Sequence, residues 1–227
     1  LFVLVATSIG EGINPMLRVL PVLALCIAWQ QCDLFWHLGL NRDSLTGELR
    51  QELGLANVLT ALRGLASSVL IARLIVGLRT SSHLALAIFV VAIISDILDG
   101  AIARRTNTRS RLGQIMDGEV DATLFSALAF VLIQNGSMPG WVAVVLLLRY
   151  LMPILGAVVS YMVFAHPVRF GSTLIGKWVG IFQSLYFFAL LLPPNWLFFA
   201  QDITLPLLVL MMGMLVAAAG TQIIINM

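Results

Sequence analysis

Carboxylate side chains are concentrated in one short stretch of the chain. Five of the 11 acidic residues lie within 26 positions: Asp96, Asp99, Asp117, Glu119 and Asp121. Four of them form two pairs, spaced by three and by four residues, and on an α-helix either spacing places a pair on one face. Converging carboxylates repel one another, and all-oxygen ligands of this kind suit Mg²⁺ or Mn²⁺. Two such cations side by side can stabilise the attacking and leaving oxygens of a phosphoryl transfer.

The residues beside these acids suit a phosphate ligand. Gly100 directly follows the first acid pair and Gly113 comes one turn before the second, so a ligand can approach the backbone closely at both positions. Ala103 keeps the same helix face thin, and Arg104 can bind a phosphate through two parallel hydrogen bonds. For one acid pair with Arg104 alone, a buried acid–arginine network that only ties helices together is an equal alternative.

The composition indicates a membrane protein. Hydrophobic residues make up 60% of the 227 positions, charged residues 11%, and mean hydropathy is +1.00. Soluble domains carry about 25% charged residues, so a soluble globule is excluded, and so is a disordered chain. Two cysteines are too few for a disulfide-stapled module. The net charge of +2 does not suggest nucleic-acid binding.

Apolar runs broken by turn residues predict an all-α integral membrane domain of six transmembrane helices. Short loops separate the runs, and Asn135-Gly136 and Pro193-Pro194 close two of them. A spanning helix needs about 20 residues. The predicted spans are 56–76, 83–104, 113–134, 141–164, 172–192 and 203–225, within a domain of residues 55–227.

The first 54 residues are divided into two parts. In residues 43–54, Leu45, Leu49 and Leu53 recur every four positions among charged residues, which predicts an amphipathic helix at the membrane surface. Residues 1–42 contain an apolar stretch that can reach the length of a span only by including Asp33 and His37. An additional span, a re-entrant segment and an interfacial helix all remain open for this part.

Basic residues predict the orientation. The loop after the second span holds four arginines, Arg104, Arg105, Arg109 and Arg111, whereas the loops after the third and fifth spans hold none. Because basic loops stay in the cytoplasm, both acid pairs are expected at the cytoplasmic membrane face. The short loop between the second and third spans is expected to make these helices antiparallel neighbours, so that the four carboxylates converge.

The complete pattern resembles the signature of the CDP-alcohol phosphotransferase family. All eight fixed positions match: Asp96-x-x-Asp99-Gly100-x-x-Ala103-Arg104, eight residues, then Gly113-x-x-x-Asp117-x-x-x-Asp121. Asn57-x-x-Thr60-x-x-Arg63 is similar to a second family feature, at the start of the first core helix, and Gly176-Lys177 is a third, weaker match. The resemblance extends from about residue 53 to the C-terminus.

The resemblance implies a six-helix core, usually homodimeric, with a polar cavity open to the cytoplasm. It implies transfer of a substituted phosphoryl group from a CDP-linked donor to a hydroxyl, with release of CMP. Two divalent cations, Mg²⁺ or Mn²⁺, are expected at Asp96, Asp99, Asp117 and Asp121, and Asp121 is also the expected general base. The CDP group is expected near Asn57, Thr60, Gly100, Ala103, Arg104 and Gly113.

Other charged residues leave alternatives open. Arg149, Arg169 and Lys177 can bind a phosphate on the acceptor; alternatively Arg169 anchors its loop and Arg149 pairs with an acid. Glu119 departs from the family pattern and points away from the motif face. It is interpreted either as the partner of an arginine, such as Arg149 or one on a dimer mate, or as a residue that affects acceptor choice or metal access.

These observations predict a multi-pass membrane enzyme of phospholipid synthesis, in the inner membrane if the source is bacterial. CDP-diacylglycerol is the favoured donor, and a small polar or phosphorylated alcohol the favoured acceptor. CDP-choline or CDP-ethanolamine with a diacylglycerol acceptor, or a soluble CDP-polyol donor, are the alternatives. An ion-coupled transporter that uses membrane aspartates is the hypothesis from another class, but it leaves the glycine and arginine positions unexplained.

Overall fold

The computed structural model describes residues 13–42, 47–50, 52–106, 110–151, 174–193 and 200–226. Within these ranges every regular element is helical, and an isolated antiparallel bridge joins Arg42 and Leu49. The chain divides into two compact units, Leu1–Asn135 and Gly136–Met227. The helices are α1 Ile13–His37, a 3₁₀ turn Leu38–Leu40, α2 Leu55–Ile75, α3 Ser82–Arg105, α4 Arg111–Gln134, α5 Gly140–Leu151, α6 Leu174–Leu191 and α7 Ala200–Asn226.

The prediction of an all-helical chain is confirmed, and a helix is found in each predicted span. In the part of the chain that the structure describes, three helical stretches are long and apolar enough to cross a membrane, namely Leu17–Leu40, Leu55–Ile75 and Ser82–Arg105. Gly140–Leu151, Ile175–Leu191 and Asp202–Ala218 are shorter apolar stretches. Helix α4 has 24 residues but includes three acids, so its composition alone does not mark it as a span. The count of six spans stays a prediction.

Helix α1 shows how the N-terminal apolar segment is used. It is continuous over 25 residues. One face carries Val19 and Leu23, which pack against Ala72 of α2. The opposite face exposes large apolar side chains, including Leu25, Trp29 and Trp36. A full-length helix with one packed face and one exposed apolar face favours the additional span among the three alternatives.

The amphipathic helix predicted for residues 43–54 is wrong for the described residues 47–50 and 52–54, which are not helical. Gly47 has φ +73°, a left-handed conformation that interrupts a helix. The buried Asn41 side chain donates hydrogen bonds to the backbone carbonyls of Arg50, at 3.2 Å, and Glu52, at 3.1 Å. These carbonyls are therefore paired by a side chain rather than by a helix backbone. The four-residue leucine repeat does not reveal either constraint.

Serine caps define where α3 and α4 begin. The Ser81 hydroxyl accepts a hydrogen bond from the Leu84 amide at 3.3 Å, and the Ser110 hydroxyl accepts one from the Gly113 amide at 3.1 Å. Each cap satisfies an amide that would otherwise lack a partner at the helix N-terminus. The Ser110 cap therefore sets the register of α4, and Asp117 lies seven residues further on.

The C-terminal ends of α2 and α4 are joined through the loop that follows α2. Gly77 has φ +76° and ends α2 in a Schellman turn, the usual role of glycine at this position. The buried Arg73 side chain donates to the Arg79 carbonyl at 2.8 Å and to the Thr80 hydroxyl at 3.3 Å. The Asn135 side chain donates to the Thr80 carbonyl at 3.0 Å. These bonds fix the loop against the ends of both helices.

Helix α2 is the central element of the first unit. It packs extensively against α1, α3 and α4, whereas α3 and α4 contact each other at few points. The expectation that α3 and α4 are direct neighbours is therefore corrected. A short loop limits how far apart two helix ends can be, but it does not prevent a third helix from packing between them. The acid pairs of α3 and α4 must then meet across α2.

Gly64 of α2 lies close to both α1 and α4. The Gln30 side chain of α1 donates a hydrogen bond to the Gly64 carbonyl at 2.9 Å. A Cβ atom on Gly64 would lie 3.1 Å from Gln30 Oε1 and 3.3 Å from a methyl group of Val120 on α4. Only a residue without a side chain permits this spacing without displacing a neighbour.

Replacement of Gly64 tests this packing. Gly64→Leu should destabilise the folded protein by about 1–3 kcal/mol, the usual cost of overpacking, because the new side chain must displace α1 or α4. Gly118→Leu is the matched control, since Gly118 is also within a helix and has open space around it. Removing a helical glycine there should raise the melting temperature or leave it unchanged. Thermal unfolding in detergent measures both, and equal melting temperatures would contradict the packing described.

Candidate active site

Arg63 of α2 lies at the centre of the four predicted acids. Its side chain is only 1% exposed, and Nη1 forms a hydrogen-bonded ion pair with Asp96. The other terminal nitrogen, Nη2, lies 3.2 Å from Asp117 Oδ1, 3.6 Å from Asp99 Oδ2 and 3.8 Å from Asp121 Oδ1. The structure therefore brings together both acid pairs. We call these five residues the acid cluster.

The charge of the acid cluster is not balanced. If all four carboxylates are ionised, four negative charges and one guanidinium leave a net charge of −3. Asp99 is buried, but the side chains of Asp96, Asp117 and Asp121 are 50%, 44% and 39% exposed, so a ligand can reach them. Hard divalent cations take such oxygen ligands. The donor set therefore fits one or two divalent cations.

Thr60 connects the two acid pairs. Its buried hydroxyl lies 2.8 Å from Asp117 Oδ1 and 3.2 Å from Asp99 Oδ2, and it can donate its single proton to one of them at a time. Thr60 comes three residues before Arg63, so both point from the same face of α2. This predicted CDP-binding residue thus lies directly beside the acid cluster.

Asn57 and Gly113 meet one turn away from Thr60. The Asn57 amide donates a long hydrogen bond of 3.5 Å to the Ser110 hydroxyl, which also caps α4. A Cβ atom on Gly113 would lie 2.7 Å from Asn57 Oδ1, closer than real Cβ contacts. Glycine is therefore required at position 113 if Asn57 is to pack against the first turn of α4.

The remaining predicted CDP residues lie on the last turns of α3. The Arg104 guanidinium folds back toward Gly100, and Nη1 would be 3.2 Å from a Cβ atom at that position. Ala103 is half-buried and Arg104 is exposed. In the described part of the chain no acid pairs with Arg104. Its charge is therefore available to an anionic ligand.

Arg149, in the second unit, is held by neutral groups. Nη1 donates a hydrogen bond to the side-chain oxygen of the fully buried Gln183, and Nη2 donates to the Gly176 carbonyl at 3.3 Å. Among the described residues no acid pairs with Arg149, so the alternative of an acid partner gains no support. Lys177 is exposed on the same helix as Gly176, and Arg169 lies outside the described residues.

Glu119 is not one of the carboxylates around Arg63. The sequence suggested an arginine partner, but within the described ranges the ionisable groups beside Glu119 are Asp33 and His37 of α1. The helix that precedes the family-like region therefore contributes side chains close to the motif. The sequence did not indicate this contact, because nothing in the spacing of α1 relates it to α4.

The role of Arg63 was also not assigned from the sequence, although a signal was present. Asn57, Thr60 and Arg63 are spaced by three residues and share a face of α2. An arginine inside an apolar helix needs acidic or carbonyl partners, and the motif aspartates are the most concentrated acids in the chain. Together these two facts would have predicted Arg63 as their partner.

Comparisons with known proteins agree with this geometry. The family described as CDP-alcohol phosphatidyltransferase matches residues 53–222. A "Probable phosphatidylglycerophosphate synthase" of Mycobacterium tuberculosis is 36% identical over 100 residues, which are 43% of this chain and 48% of the relative. A "CDP-diacylglycerol--glycerol-3-phosphate 3-phosphatidyltransferase" of Bacillus subtilis is 36% identical over 69 residues, 30% of this chain and 36% of the relative. The chain thus aligns with about half the length, or less, of these curated relatives.

No solved structure matches the chain significantly. The family match nevertheless begins just before α2, ends within α7 and includes the whole acid cluster. The apolar helices and this match together identify a membrane protein. The chain belongs to the CDP-alcohol phosphatidyltransferase family, a family of transferases of phospholipid synthesis.

Proposed function

We propose that this enzyme transfers a phosphatidyl group from CDP-diacylglycerol to the hydroxyl of a small phosphorylated alcohol, with release of CMP. The acid cluster carries the proposal, because it gathers all four motif aspartates, from α3 and α4, around Arg63 of α2 at one accessible place. The names of the relatives make glycerol 3-phosphate the first acceptor to test. CDP-choline or CDP-ethanolamine with diacylglycerol, and a soluble CDP-polyol donor, remain the alternative substrates.

Two divalent cations, Mg²⁺ or Mn²⁺, would be held by the four motif aspartates, Asp96, Asp99, Asp117 and Asp121. Such ions, when bound, stabilise negative charge on the transferred phosphate and on the departing CMP. Arg104 then adds a guanidinium for a phosphate oxygen. We assign to the CDP group the residues near the start of α2, the end of α3 and the start of α4, namely Asn57, Thr60, Gly100, Ala103 and Gly113.

Asp121 is the proposed general base. Its carboxylate lies 3.8 Å from Arg63 Nη2, beyond ordinary hydrogen-bond distance, and its side chain is partly exposed. A carboxylate less engaged by the guanidinium is freer to accept the proton of the acceptor hydroxyl. An alcohol has a high pKa, so its attack on phosphorus needs such a base.

Arg149 favours a phosphorylated acceptor. A guanidinium held by an amide oxygen and a backbone carbonyl keeps its full positive charge. In an apolar helix that charge is costly unless an anion balances it. A phosphate on the acceptor supplies the anion, and we propose that Lys177 and Arg169 help to bind it. An acid partner would have neutralised the same arginine and removed this affinity.

The remaining parts of the proposal concern the assembly. We propose six spans in the domain of residues 55–227, and the distribution of basic residues predicts that the arginine-rich loop after α3 lies in the cytoplasm. The acid cluster would then face the cytoplasm, where CDP-linked donors and phosphorylated alcohols are available. A homodimer is the family expectation and stays a prediction. An ion-coupled transporter is disfavoured, because the family match accounts for the glycine and arginine positions as well as for the acids.

The first experiment measures CMP release by the purified protein in detergent with CDP-diacylglycerol and Mg²⁺ or Mn²⁺. Glycerol 3-phosphate, inositol phosphate, inositol and serine are the acceptors. Release should require one acceptor and metal, and Asp121→Asn should reduce it by about 10²–10⁴-fold, the usual contribution of a general base. Asp202→Asn, at an exposed position of α7, is the control. A protein that binds CDP and metal but uses no acceptor would have another donor, whereas failure to bind CDP would contradict the proposal.

Arg63 should matter most when no metal is bound. Arg63→Ala should lower stability by up to about 3 kcal/mol in a chelator, because the carboxylates lose their only cationic partner in the described structure. Adding Mg²⁺ should raise the melting temperature of Arg63→Ala more than that of the wild type, since the ions replace the lost charge. Arg79→Ala, an exposed arginine, is the matched control. Equal stabilisation by Mg²⁺ in all three proteins would contradict the role given to Arg63.

Arg149 should affect phosphorylated acceptors selectively. Arg149→Gln should raise the KM for glycerol 3-phosphate by about 10- to 100-fold, because a hydrogen bond to a charged group contributes about 1.5–3 kcal/mol. The KM for an unphosphorylated alcohol that the enzyme accepts should change little. Steady-state kinetics with both acceptors measures the difference, with Arg79→Gln as the control. A similar change for both acceptors would mean that Arg149 serves only the helix packing.

A further inference from the structure

Helices α1 and α4 bring together three ionisable side chains outside the acid cluster. Asp33 and His37 come from the last turns of α1, and Glu119 comes from α4. One ligand atom from each lies within 4.8 Å of the others. His37 Nδ1 lies 3.1 Å from the Asp33 backbone carbonyl and 3.3 Å from Asp33 Oδ1, so in the neutral ring Nδ1 donates there and Nε2 carries the lone pair. We call these three residues the α1–α4 cluster.

The charges of the α1–α4 cluster call for a cation. One carboxylate oxygen of Asp33 lies within 4.8 Å of one of Glu119, and in the described part of the chain neither pairs with a lysine or an arginine. Two ionised carboxylates at this separation repel, so they need either a shared proton or a positive ion. The other ionisable group there is His37, whose imidazole supplies a positive charge when protonated and a lone pair for a metal ion when neutral.

The ligand types point to a transition metal rather than Mg²⁺ or Ca²⁺. Imidazole nitrogen is a good ligand for Zn²⁺ and its neighbours in the first transition row, whereas Mg²⁺ and Ca²⁺ prefer oxygen alone. Ligand atoms about 2.0–2.2 Å from one Zn²⁺ are at most about 4.4 Å apart. Because all three side chains are partly exposed, small rotations bring their ligand atoms to that distance. Three protein ligands leave a further position for water.

We propose that Asp33, His37 and Glu119 bind a divalent transition-metal ion of the Zn²⁺ class. The site would be separate from the acid cluster, because Glu119 is not among the carboxylates around Arg63. It would join α1, which precedes the family match at residues 53–222, to the helix that carries Asp117 and Asp121. The bound ion would hold the N-terminal helix in place beside the catalytic acids. The proposal does not depend on the substrate of the enzyme.

The test is Zn²⁺ binding by the full chain in detergent, purified without a histidine tag. Asp117→Asn combined with Asp121→Asn weakens the acid cluster, so calorimetry should then report one remaining Zn²⁺ site. His37→Ala or Glu119→Gln in that background should raise its Kd at least about tenfold, because even outer-shell changes cost 10- to 100-fold in metal affinity. His37→Cys should keep binding, since a thiolate is also a Zn²⁺ ligand. His83→Ala, which removes an imidazole from α3, should leave the Kd unchanged.

A second measurement distinguishes loss of the metal site from misfolding of a variant. In the otherwise unchanged chain, His37→Ala should reduce the number of bound Zn²⁺ ions by one and should also reduce the rise in melting temperature that Zn²⁺ produces. If His37→Ala and the wild type, both folded, bind the same number of ions with the same affinity, the proposal is overturned. The same holds if the two aspartate substitutions alone abolish Zn²⁺ binding, because the ion would then belong to the acid cluster.

Discussion

The structure of the first unit depends on the ion pairs between the buried Arg63 and the four motif carboxylates. Removing a guanidinium from water costs several kcal/mol, and only close, hydrogen-bonded acids offset that cost. The acids have the reciprocal requirement, because four of them at one place repel one another. Both requirements are met only if α2 packs between α3 and α4. The serine caps and the Gly77 turn then set the register at which the side chains meet.

Arg63 and Arg149 show how the surroundings of one residue type separate two roles. Carboxylates surround Arg63, so its positive charge is balanced by acids of the protein itself. The acids around it carry excess negative charge, which suits cations. Arg149 is held by an amide oxygen and a carbonyl. The two guanidinium groups thus differ in their surroundings, with acids around Arg63 and neutral acceptors around Arg149.

Local patterns predicted the local structure well, and they failed where a distant contact intervened. Asn135-Gly136 correctly closed α4, and the acid spacings correctly placed each pair on one helix face. The amphipathic helix was wrong, because periodicity does not reveal that Asn41 holds the carbonyls of Arg50 and Glu52. Direct packing of α3 on α4 was also wrong, because a short loop restricts helix ends and leaves the packing partner open.

The sequence by itself determined most of the helices, the motif of eight fixed positions and hence the family, because these depend on residue type and on spacing along the chain. Only the tertiary structure decided that Arg63 is the common partner of acids as far along the chain as Asp121, and that Glu119 meets α1. The physical reason is that spacing fixes which side chains share a face. Which helix that face meets depends on how all the helices bury their apolar surfaces and balance their charges together.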